Sequence, residues 1–417
     1  MAIVRPGTAE DCSVLRDDDC VLRDEDQAAE HMSGICFKTG PPSRIGVELE
    51  FTTHHDDAPD RPLTLEALRE ALGPYTPDSL AARPAGSCAD VPPRPLPGGG
   101  VVTVEPGGQL EISSAPAATL AGLQAAVDAD LTRLRGLLAG HGLHLGATGI
   151  DPYRSPHRLL DSPRYAAMER VFDRAGRHGR TMMCSTAGLQ VCLDAGLAPR
   201  LADRFAAVTE LGPVLVAAFA NSRRHAGRDT GWASTRMRAW LGIDPARTRP
   251  VGTGADPVGA WIGYAMAAPL LCVRNDDGCW DPPPGVTFAD WLGGALPRPP
   301  TAADLEYHLS TLFPPVRPRG YLEVRYLDAQ PDGEWLAPAA VLAALLADDA
   351  VTDAARAAAA PAADRWLPAA RAGLADSRVG AAARAVFDLA RRALHRAGLP
   401  AHLQDRVHAV LDRRLPA

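Results

Sequence analysis

The stretch that decides the fold is residues 44–51, which read RIGVELEF. From Val47 onward apolar and acidic residues alternate strictly, which is the pattern of a β-strand with two chemically different faces. Glu48 and Glu50 then point to the same side of the sheet, about 7 Å apart. Because the apolar side must be buried, the strand holds two carboxylates next to each other, and they repel unless a cation or water stabilises them.

A divalent metal is one way to stabilise such a pair, since carboxylate oxygens are the ligands that magnesium and manganese prefer. The alternative is that Glu48 and Glu50 simply face water.

A second acidic segment, EPGGQLE, spans residues 105–111. On one extended strand Glu105 and Glu111 would lie about 20 Å apart, too far to share an ion. The Pro-Gly-Gly sequence between them predicts a turn or bulge that shortens this path and brings the acids together. A hairpin with exposed acids is the alternative.

A third segment, residues 319–328, reads RGYLEVRYLD and places Glu323 and Arg325 on one strand face. The two residues form either a plain surface ion pair or a functional pair, in which the acid binds a metal and the arginine binds a carboxylate or phosphate through two hydrogen bonds. The segment from Gln190 to Asp194 also alternates and predicts a half-buried strand.

If these strands belong to one sheet, five glutamates converge on a concave cavity. Two or three divalent ions in such a cavity would suit a nucleotide triphosphate and phosphoryl transfer.

Strands and helices do not alternate regularly along the chain, which favours an α+β fold with an antiparallel sheet over a doubly wound parallel one. The predicted helices cover residues 63–72, 119–140, 201–219, 304–313 and 380–397, and further strands cover 101–105, 182–194 and 321–327.

Residues 1–40 are acidic and predict a mobile arm or a solvated first helix. Residues 41–417 are expected to form a single catalytic domain with an Ala-rich helical part at about 336–417. The sequence His54-His55-Asp56-Asp57 is interpreted as a solvated loop.

Composition excludes several classes of protein. The net charge is -7 and no stretch is dense in basic residues, which argues against a nucleic-acid partner. The most apolar stretch, residues 259–273, is broken by Pro269 and is too short to span a bilayer, so it predicts a buried helix. The eight cysteines contain no C-x-x-C pair, and the first 38 residues lack the apolar core of a signal peptide. We therefore expect a cytoplasmic protein with reduced thiols.

The two acidic motifs carry a family resemblance. GVELE at 46–50 followed by EPGGQLE at 105–111 resembles the glutamate–cysteine ligases of the plant and actinobacterial type, and the segments 190–194 and 321–328 resemble two further motifs of that family. The segments ANSR at 220–223 and GWASTR at 231–236 are similar to the ergothioneine-pathway branch. The resemblance covers about residues 40–350.

The resemblance implies a glutamine-synthetase-like fold, in which a curved, mostly antiparallel sheet flanked by helices forms a funnel. It also implies roles for individual residues. Metal ligands would be Glu50, Glu105 and Glu111 near the substrate carboxylate, and Glu48 and Glu323 at the ATP phosphates. Arg325 and Arg236 would be catalytic and would bind a substrate carboxylate or the transferring phosphate. Gln109 and Gln190 would orient glutamate.

The implied activity is ATP-dependent ligation of the L-glutamate γ-carboxylate to the L-cysteine amine, with magnesium or manganese as cofactor. No partner besides these small molecules is implied, and the oligomeric state stays open.

Residues 223–240 are a candidate lid. Cys192 stands where many relatives have asparagine, so a substrate contact at this position is in doubt. The alternatives are a ligase of the same fold with another amine acceptor, a non-catalytic homologue, and a phosphagen-type kinase.

Overall fold

The structure, a computed structural model, describes residues 20–80, 93–275 and 278–415. Residues 1–19 of the predicted arm lie outside the described residues. The strands of the described part are β1 (Ile45–Phe51), β2 (Thr53–His55), β3 (Val101–Val104), β4 (Leu110–Ser113), β5 (Leu143–Leu145), β6 (Gly188–Leu193), β7 (Arg224–His225), β8 (Arg228–Asp229), β9 (Val316–Pro318) and β10 (Leu322–Asp328).

Helices flank these strands along most of the chain. They are α1 (Glu25–Cys36), α2 (Leu65–Leu72), α3 (Leu120–Ala139), α4 (Pro163–Ala175), α5 (His178–Ser185), α6 (Leu201–Glu210), α7 (Gly212–Ala218), α8 (Thr235–Leu241), α9 (Pro245–Thr248), α10 (Pro257–Ala267), α11 (Phe288–Leu292), α12 (Ala302–Leu309), α13 (Leu336–Leu345), α14 (Asp349–Ala359), α15 (Trp366–Ala372), α16 (Ser377–Ala393) and α17 (Ala401–Arg414).

The main sheet has six strands in the order β3-β4-β1-β6-β10-β9, and every neighbouring pair is antiparallel. The α+β prediction with a mostly antiparallel sheet is confirmed. The three segments that the sequence marked as acidic strands are therefore parts of one sheet, with β1 near its centre.

The apolar face of this sheet is the face that the alternation predicts. Val47 of β1 lies opposite Val191 of β6, which in turn lies opposite Val324 of β10. All three side chains are buried. Helix α3 packs against β1 and helix α7 against β10. Burial of this face fixes the opposite, polar face of each strand toward the site.

Several predicted elements differ in their extent. The helix expected at 201–219 is two helices, because Pro213 lacks the backbone N–H that a continuous helix needs and Gly212 packs so closely on Trp366 that a Cβ would lie 2.0 Å from its ring. The strand expected at 182–194 starts only at Gly188. Residues 182–185 end α5 and are buried on all sides, so their apolar run does not distinguish strand from helix.

The N-terminal arm is corrected in its second half. Residues 25–36 form helix α1, which begins at the N-cap Asp24 and buries Ala28, Met32 and Cys36 against the body of the protein. The acids occupy its solvent side, so of the two predicted alternatives this segment is the helix, and its apolar side is docked on the protein.

The interpretation of His54-His55 as solvated loop residues is wrong. Both side chains lie on β2, which pairs with β5, and His54 is only 1% exposed. Burial lowers the pKa of His54 to about 4. Its ring contacts the Thr52 hydroxyl at 2.8 Å, so it is a buried, hydrogen-bonded histidine of the core.

Candidate active site

The polar face of the sheet brings together the acids of the first two predicted motifs. Glu50 of β1 lies directly opposite Glu111 of β4, and Glu111 lies opposite Thr103 of β3. In the next row Glu48 lies opposite Gln190 of β6. Opposed residues in an antiparallel pair project from the same face, so these side chains face one another across neighbouring strands.

The turn between β3 and β4 adds Glu105 to this group. The backbone N–H of Glu105 donates to the Gln109 carbonyl at 2.8 Å, and that of Gly108 donates to the Glu105 carbonyl at 2.9 Å. Gly108 has a φ of 86°, and a Cβ on Gly107 would lie 2.2 Å from the Cys184 carbonyl oxygen. The turn therefore requires both glycines, and it places Glu105 close to Glu111 as predicted.

Burial, followed by repulsion between the carboxylates, determines the electrostatics of this group. Burial and the carboxylates of Glu48, Glu105 and Glu50 raise the pKa of Glu111 well above the ordinary value of a glutamate. Burial and Glu50 raise the pKa of Glu105 to about 7. Hydroxyl groups of Thr103 and Ser113 donate to Glu111 at 2.9 and 3.0 Å, which offsets the repulsion in part. These four carboxylates offer oxygen atoms, the type of donor that a divalent cation such as magnesium prefers.

No group of three or more His, Cys, Asp and Glu side chains in the described ranges has the arrangement of a metal site. The individual metal ligands, and the number of ions, therefore stay predictions.

Glu323 differs from the other four glutamates because arginines surround it. Its carboxylate accepts hydrogen bonds from Arg317 at 2.7 and 3.2 Å, from Arg319 at 3.1 Å and from Arg325 at 2.7 Å. Burial alone would raise the pKa of Glu323, but these guanidinium groups hold it far below the ordinary value. Its predicted role as a metal ligand stays a prediction, and its observed role is to hold three buried or half-buried arginines in place.

Arg325 and Arg236 lie side by side next to the carboxylates. Arg325 Nη1 donates to Gln190 Oε1 at 2.8 Å, and Arg236 Nη2 donates to the Arg325 carbonyl at 2.9 Å. The Trp240 ring contacts both guanidinium groups, with its centroid 4.9 Å from Arg236 Cζ and 5.5 Å from Arg325 Cζ. Within the described part of the chain, the Nε atoms of both arginines are buried and lack a hydrogen-bond partner. Each is thus a cation with a free donor, which suits a carboxylate or phosphate oxygen.

Local structure explains how Arg236 reaches this position. It lies in the first turn of α8, whose N-cap Ser234 accepts a hydrogen bond from the Met237 N–H at 3.1 Å. The Ser234 hydroxyl donates to the Asp328 carboxylate at 2.8 Å. A Cβ on Gly188 would lie 2.3 Å from Arg236 Nη2, so only glycine fits there.

The two glutamines take different positions. Gln190 lies between the charges, donating to Glu50 Oε1 at 3.0 Å and accepting from Arg325. Gln109 uses its amide within the protein, donating to the Met183 and Thr186 carbonyls at 3.3 and 3.0 Å and accepting from the Gly107 N–H at 2.9 Å. Gln109 therefore stabilises the turn, and its role toward glutamate stays a prediction.

Sequence reasoning missed Trp240, Arg164 and Tyr165. Arg164 and Tyr165 lie in the first turn of α4, close enough to Glu105 that the Arg164 charge lowers its pKa and the Glu105 charge adds to burial in raising the pKa of Tyr165. Arg164 is held by the Ser310 hydroxyl at 3.0 Å and by the Tyr307 ring. The only sequence signal is the N-cap Ser162 followed by Pro163, which predicts a helix start but not what faces it.

Cys192 lies opposite Glu323, on the same face as the carboxylates. Burial, followed by the charges of Glu48 and Glu323, raises the pKa of its thiol well above the ordinary value. The candidate lid, residues 223–240, consists of the β7-β8 hairpin and most of α8.

An antiparallel sheet that places carboxylates beside buried arginines suits an enzyme that acts on anionic substrates, and comparison with known proteins identifies the family. Residues 44–413 match the sequence pattern of the family described as Glutamate-cysteine ligase family 2, and the chain belongs to this family. The chain is 41% identical to glutamate–cysteine ligase EgtA of Mycobacterium tuberculosis (strain ATCC 25618 / H37Rv), over 90% of this chain and 85% of that protein. It is 39% identical to the EgtA of Mycolicibacterium smegmatis, over 94% of this chain and 90% of that protein.

A plant relative is the chloroplastic glutamate–cysteine ligase of Arabidopsis thaliana, 32% identical over 60% of this chain and 49% of that protein. Among solved structures, the glutamate–cysteine ligase of Francisella tularensis in complex with AMP superposes with a TM-score of 0.52 at 13% identity, covering 91% of this chain and 83% of that one. The shared fold confirms the predicted fold class. None of the helices in the described ranges combines the length and the apolar composition that a transmembrane span requires.

Proposed function

We propose that this protein joins the γ-carboxylate of L-glutamate to the amine of L-cysteine at the expense of ATP, giving γ-glutamylcysteine, ADP and phosphate. The observation that carries the proposal is the juxtaposition of the Glu50–Glu111 row with two buried arginines that each keep a free Nε. The relatives named EgtA support the choice of substrates and a role in ergothioneine biosynthesis, which we place in the cytoplasm.

The carboxylates would hold magnesium or manganese, with Glu50, Glu105 and Glu111 on the substrate side and Glu48 and Glu323 on the ATP side. When bound, such ions neutralise phosphate charge and so favour phosphoryl transfer. The AMP complex of the Francisella tularensis relative supports nucleotide use by this fold.

The proposed reaction has two chemical steps. A γ-carboxylate oxygen of glutamate attacks the γ-phosphorus of ATP, and the bond to the β–γ bridging oxygen breaks, which yields γ-glutamyl phosphate and ADP. The cysteine amine then attacks the acyl carbon, loses a proton and expels phosphate. Arg325 and Arg236 would stabilise the charge that develops on the transferring group, because their donors are already positioned and dehydrated.

The acyl phosphate must be kept from water between the two steps. Residues 223–240 are the segment that would exclude water, because they carry Arg236 and Trp240 at one end and an exposed hairpin at the other. Gln190 would orient the glutamate, since its amide bridges Glu50 and Arg325.

The experiment is to incubate the purified protein with ATP, magnesium and glutamate and a panel of amines, and to follow ADP release together with product mass. We expect ADP release to depend on cysteine and to match γ-glutamylcysteine one to one. Equal release with other amines would identify a ligase with another acceptor, and a stable phosphorylated product without an amide would identify a kinase. No ATP turnover with metal present would favour a non-catalytic homologue.

Glu111→Gln provides the inactive control. The substitution keeps the hydrogen-bond acceptor toward Thr103 and removes the charge that a metal needs. We expect ligation to fall by at least 100-fold with the fold intact by circular dichroism. Near-normal turnover would exclude Glu111 from the metal site.

A further inference from the structure

A second cavity lies outside the carboxylate site, on the outer side of α8. It has a volume of about 840 Å³ and is bounded by the end of α4, the start of α5, the β7-β8 hairpin and α8. This volume is in the range of cavities that hold small molecules. None of the residues assigned above to metal, ATP or substrate lines it, although the hairpin and α8 that bound it belong to the candidate lid, residues 223–240.

Its walls carry an excess of free positive charge. Arg177, Arg228 and Arg238 line the cavity, and in the described part of the chain none of their guanidinium groups has an ion pair or hydrogen bond. The Arg238 group only stacks on Trp232, with Cζ 5.0 Å from the ring centroid. Three unpaired cations around one concave surface create a positive electrostatic potential that attracts anions.

The acids of the same cavity are already neutralised. Asp173 is bonded to Arg180, and Asp229 accepts from Arg223 at 2.9 Å. His178 also lines the cavity, and burial together with the charges of Arg177 and Arg238 lowers the pKa of its ring. The ring is therefore a neutral hydrogen-bonding group, and the net charge facing the cavity is positive.

The hairpin wall is held in a strained shape. Ala226 has a φ of 48°, a conformation that costs a residue with a Cβ about 1 kcal/mol or more. Its N–H donates to the Asp151 carbonyl at 3.3 Å, and the Gly227 N–H donates to the Pro152 carbonyl at 2.7 Å. These contacts fix His225 and Arg228 at the cavity rim, so the basic surface is built into the fold rather than carried on a free loop.

We propose that this cavity binds a small polyanion whose phosphate or carboxylate groups bridge Arg177, Arg228 and Arg238. Its occupant would contact the outer side of α8, the helix whose inner side carries Arg236 and Trp240. Binding does not depend on the proposed ligase function, although any effect on turnover does.

The test is calorimetric titration of the full chain with inorganic pyrophosphate and, separately, citrate, in metal-free buffer of low ionic strength. The double variant Arg177→Ala/Arg228→Ala removes two exposed guanidinium groups that make no hydrogen bond or ion pair with the described residues. Arg384→Ala/Arg392→Ala is the matched control, since both arginines are exposed on α16 and form no hydrogen bond or ion pair within ranges 20–80, 93–275 and 278–415. Thermal unfolding checks that all three proteins are equally folded.

We expect saturable binding of at least one probe, weakened 10-fold or more in the cavity variant and unchanged in the control. Binding of pyrophosphate alone assigns a phosphate ligand, and binding of citrate alone assigns a polycarboxylate. Equal affinity in the cavity variant, an equal loss in the control, or no saturable binding of either probe would overturn the proposal.

Discussion

Replacing Glu105 by glutamine tests two effects of its carboxylate separately. One is the decrease in the stability of the metal-free fold, and the other is the contribution to ligation. Glu105 lies at the turn beside Glu111 and Glu50, and burial followed by the Glu50 charge raises its pKa from 4.5 to about 7. A carboxyl with a raised pKa is protonated more readily in the folded state. Its ionised form therefore destabilises the metal-free protein at pH values above 4.5.

The magnitude follows from the two pKa values. A change of 2.5 in pKa corresponds to about 3.4 kcal/mol at 1.36 kcal/mol for each tenfold step, and half-protonation at pH 7 lowers this to about 3 kcal/mol. Glu105 is partly exposed, so solvent screening reduces the expected gain to about 1 to 3 kcal/mol. We expect Glu105→Gln to be more stable than the native chain by this amount without metal, and to lose ligation.

Urea unfolding of the metal-free proteins at pH 7 measures the gain in the free energy of unfolding. Repeating the measurement with increasing magnesium shows how strongly the metal stabilises each protein. Magnesium should stabilise the native chain and have a much smaller effect on the variant. Glu70→Gln, at an exposed position of α2, is the matched control and should change neither quantity. A less stable Glu105→Gln protein that still responds to magnesium and still ligates would refute the reasoning.

Three further predictions use other charged groups. Arg325→Lys should lower kcat/KM at least 100-fold, because a lysine ammonium lacks the buried Nε–H donor and the planar group that contacts the Trp240 ring; steady-state kinetics showing native values would remove Arg325 from the site. Glu323→Gln should destabilise the fold by about 3 to 5 kcal/mol in urea unfolding, the reverse of Glu105→Gln, because three guanidinium groups lose their counter-charge; an unchanged midpoint would contradict this. Burial, with a smaller contribution from Arg247, lowers the pKa of His308 to about 4. As the pH falls below 6.5, the unfolded chain therefore binds a proton at His308 before the folded protein does. The free energy of unfolding should fall by about 2 kcal/mol between pH 7 and 5 for this reason. His308→Gln should lack this part of the loss, and an identical pH dependence of the unfolding midpoint would exclude His308 as its source.

Alternation predicted the strand faces of the sheet well. One buried side imposes a period of two, so Val47, Glu48 and their neighbours leave no doubt about which side chains share a face. The turn at Pro106-Gly107-Gly108 was also predicted, because only glycine fits its positive φ and its close contact with Cys184.

Register and pairing depend on contacts between distant parts of the chain, which a single sequence does not display. That Glu323 lies among Arg317, Arg319 and Arg325 follows from the β9-β10 pairing, not from any local pattern. Similarly, the amide of Gln109 is used by backbone carbonyls more than 70 residues away. Sequence reasoning identified the charged residues but not which charges are already paired.

The irregularity in β10 constrains how this chain can change in length. Between Val324 and Leu327 the strand has two residues opposite the single Gln190 of β6, a β-bulge. This extra residue places Asp328 on the carboxylate face, where it accepts hydrogen bonds from Ser222 and Ser234 and holds the start of α8. Deleting one residue here would leave most of the sheet paired but would turn Asp328 to the opposite face and release Arg236 from its anchor. Insertions and deletions in this strand should thus be as damaging as the loss of a charged side chain.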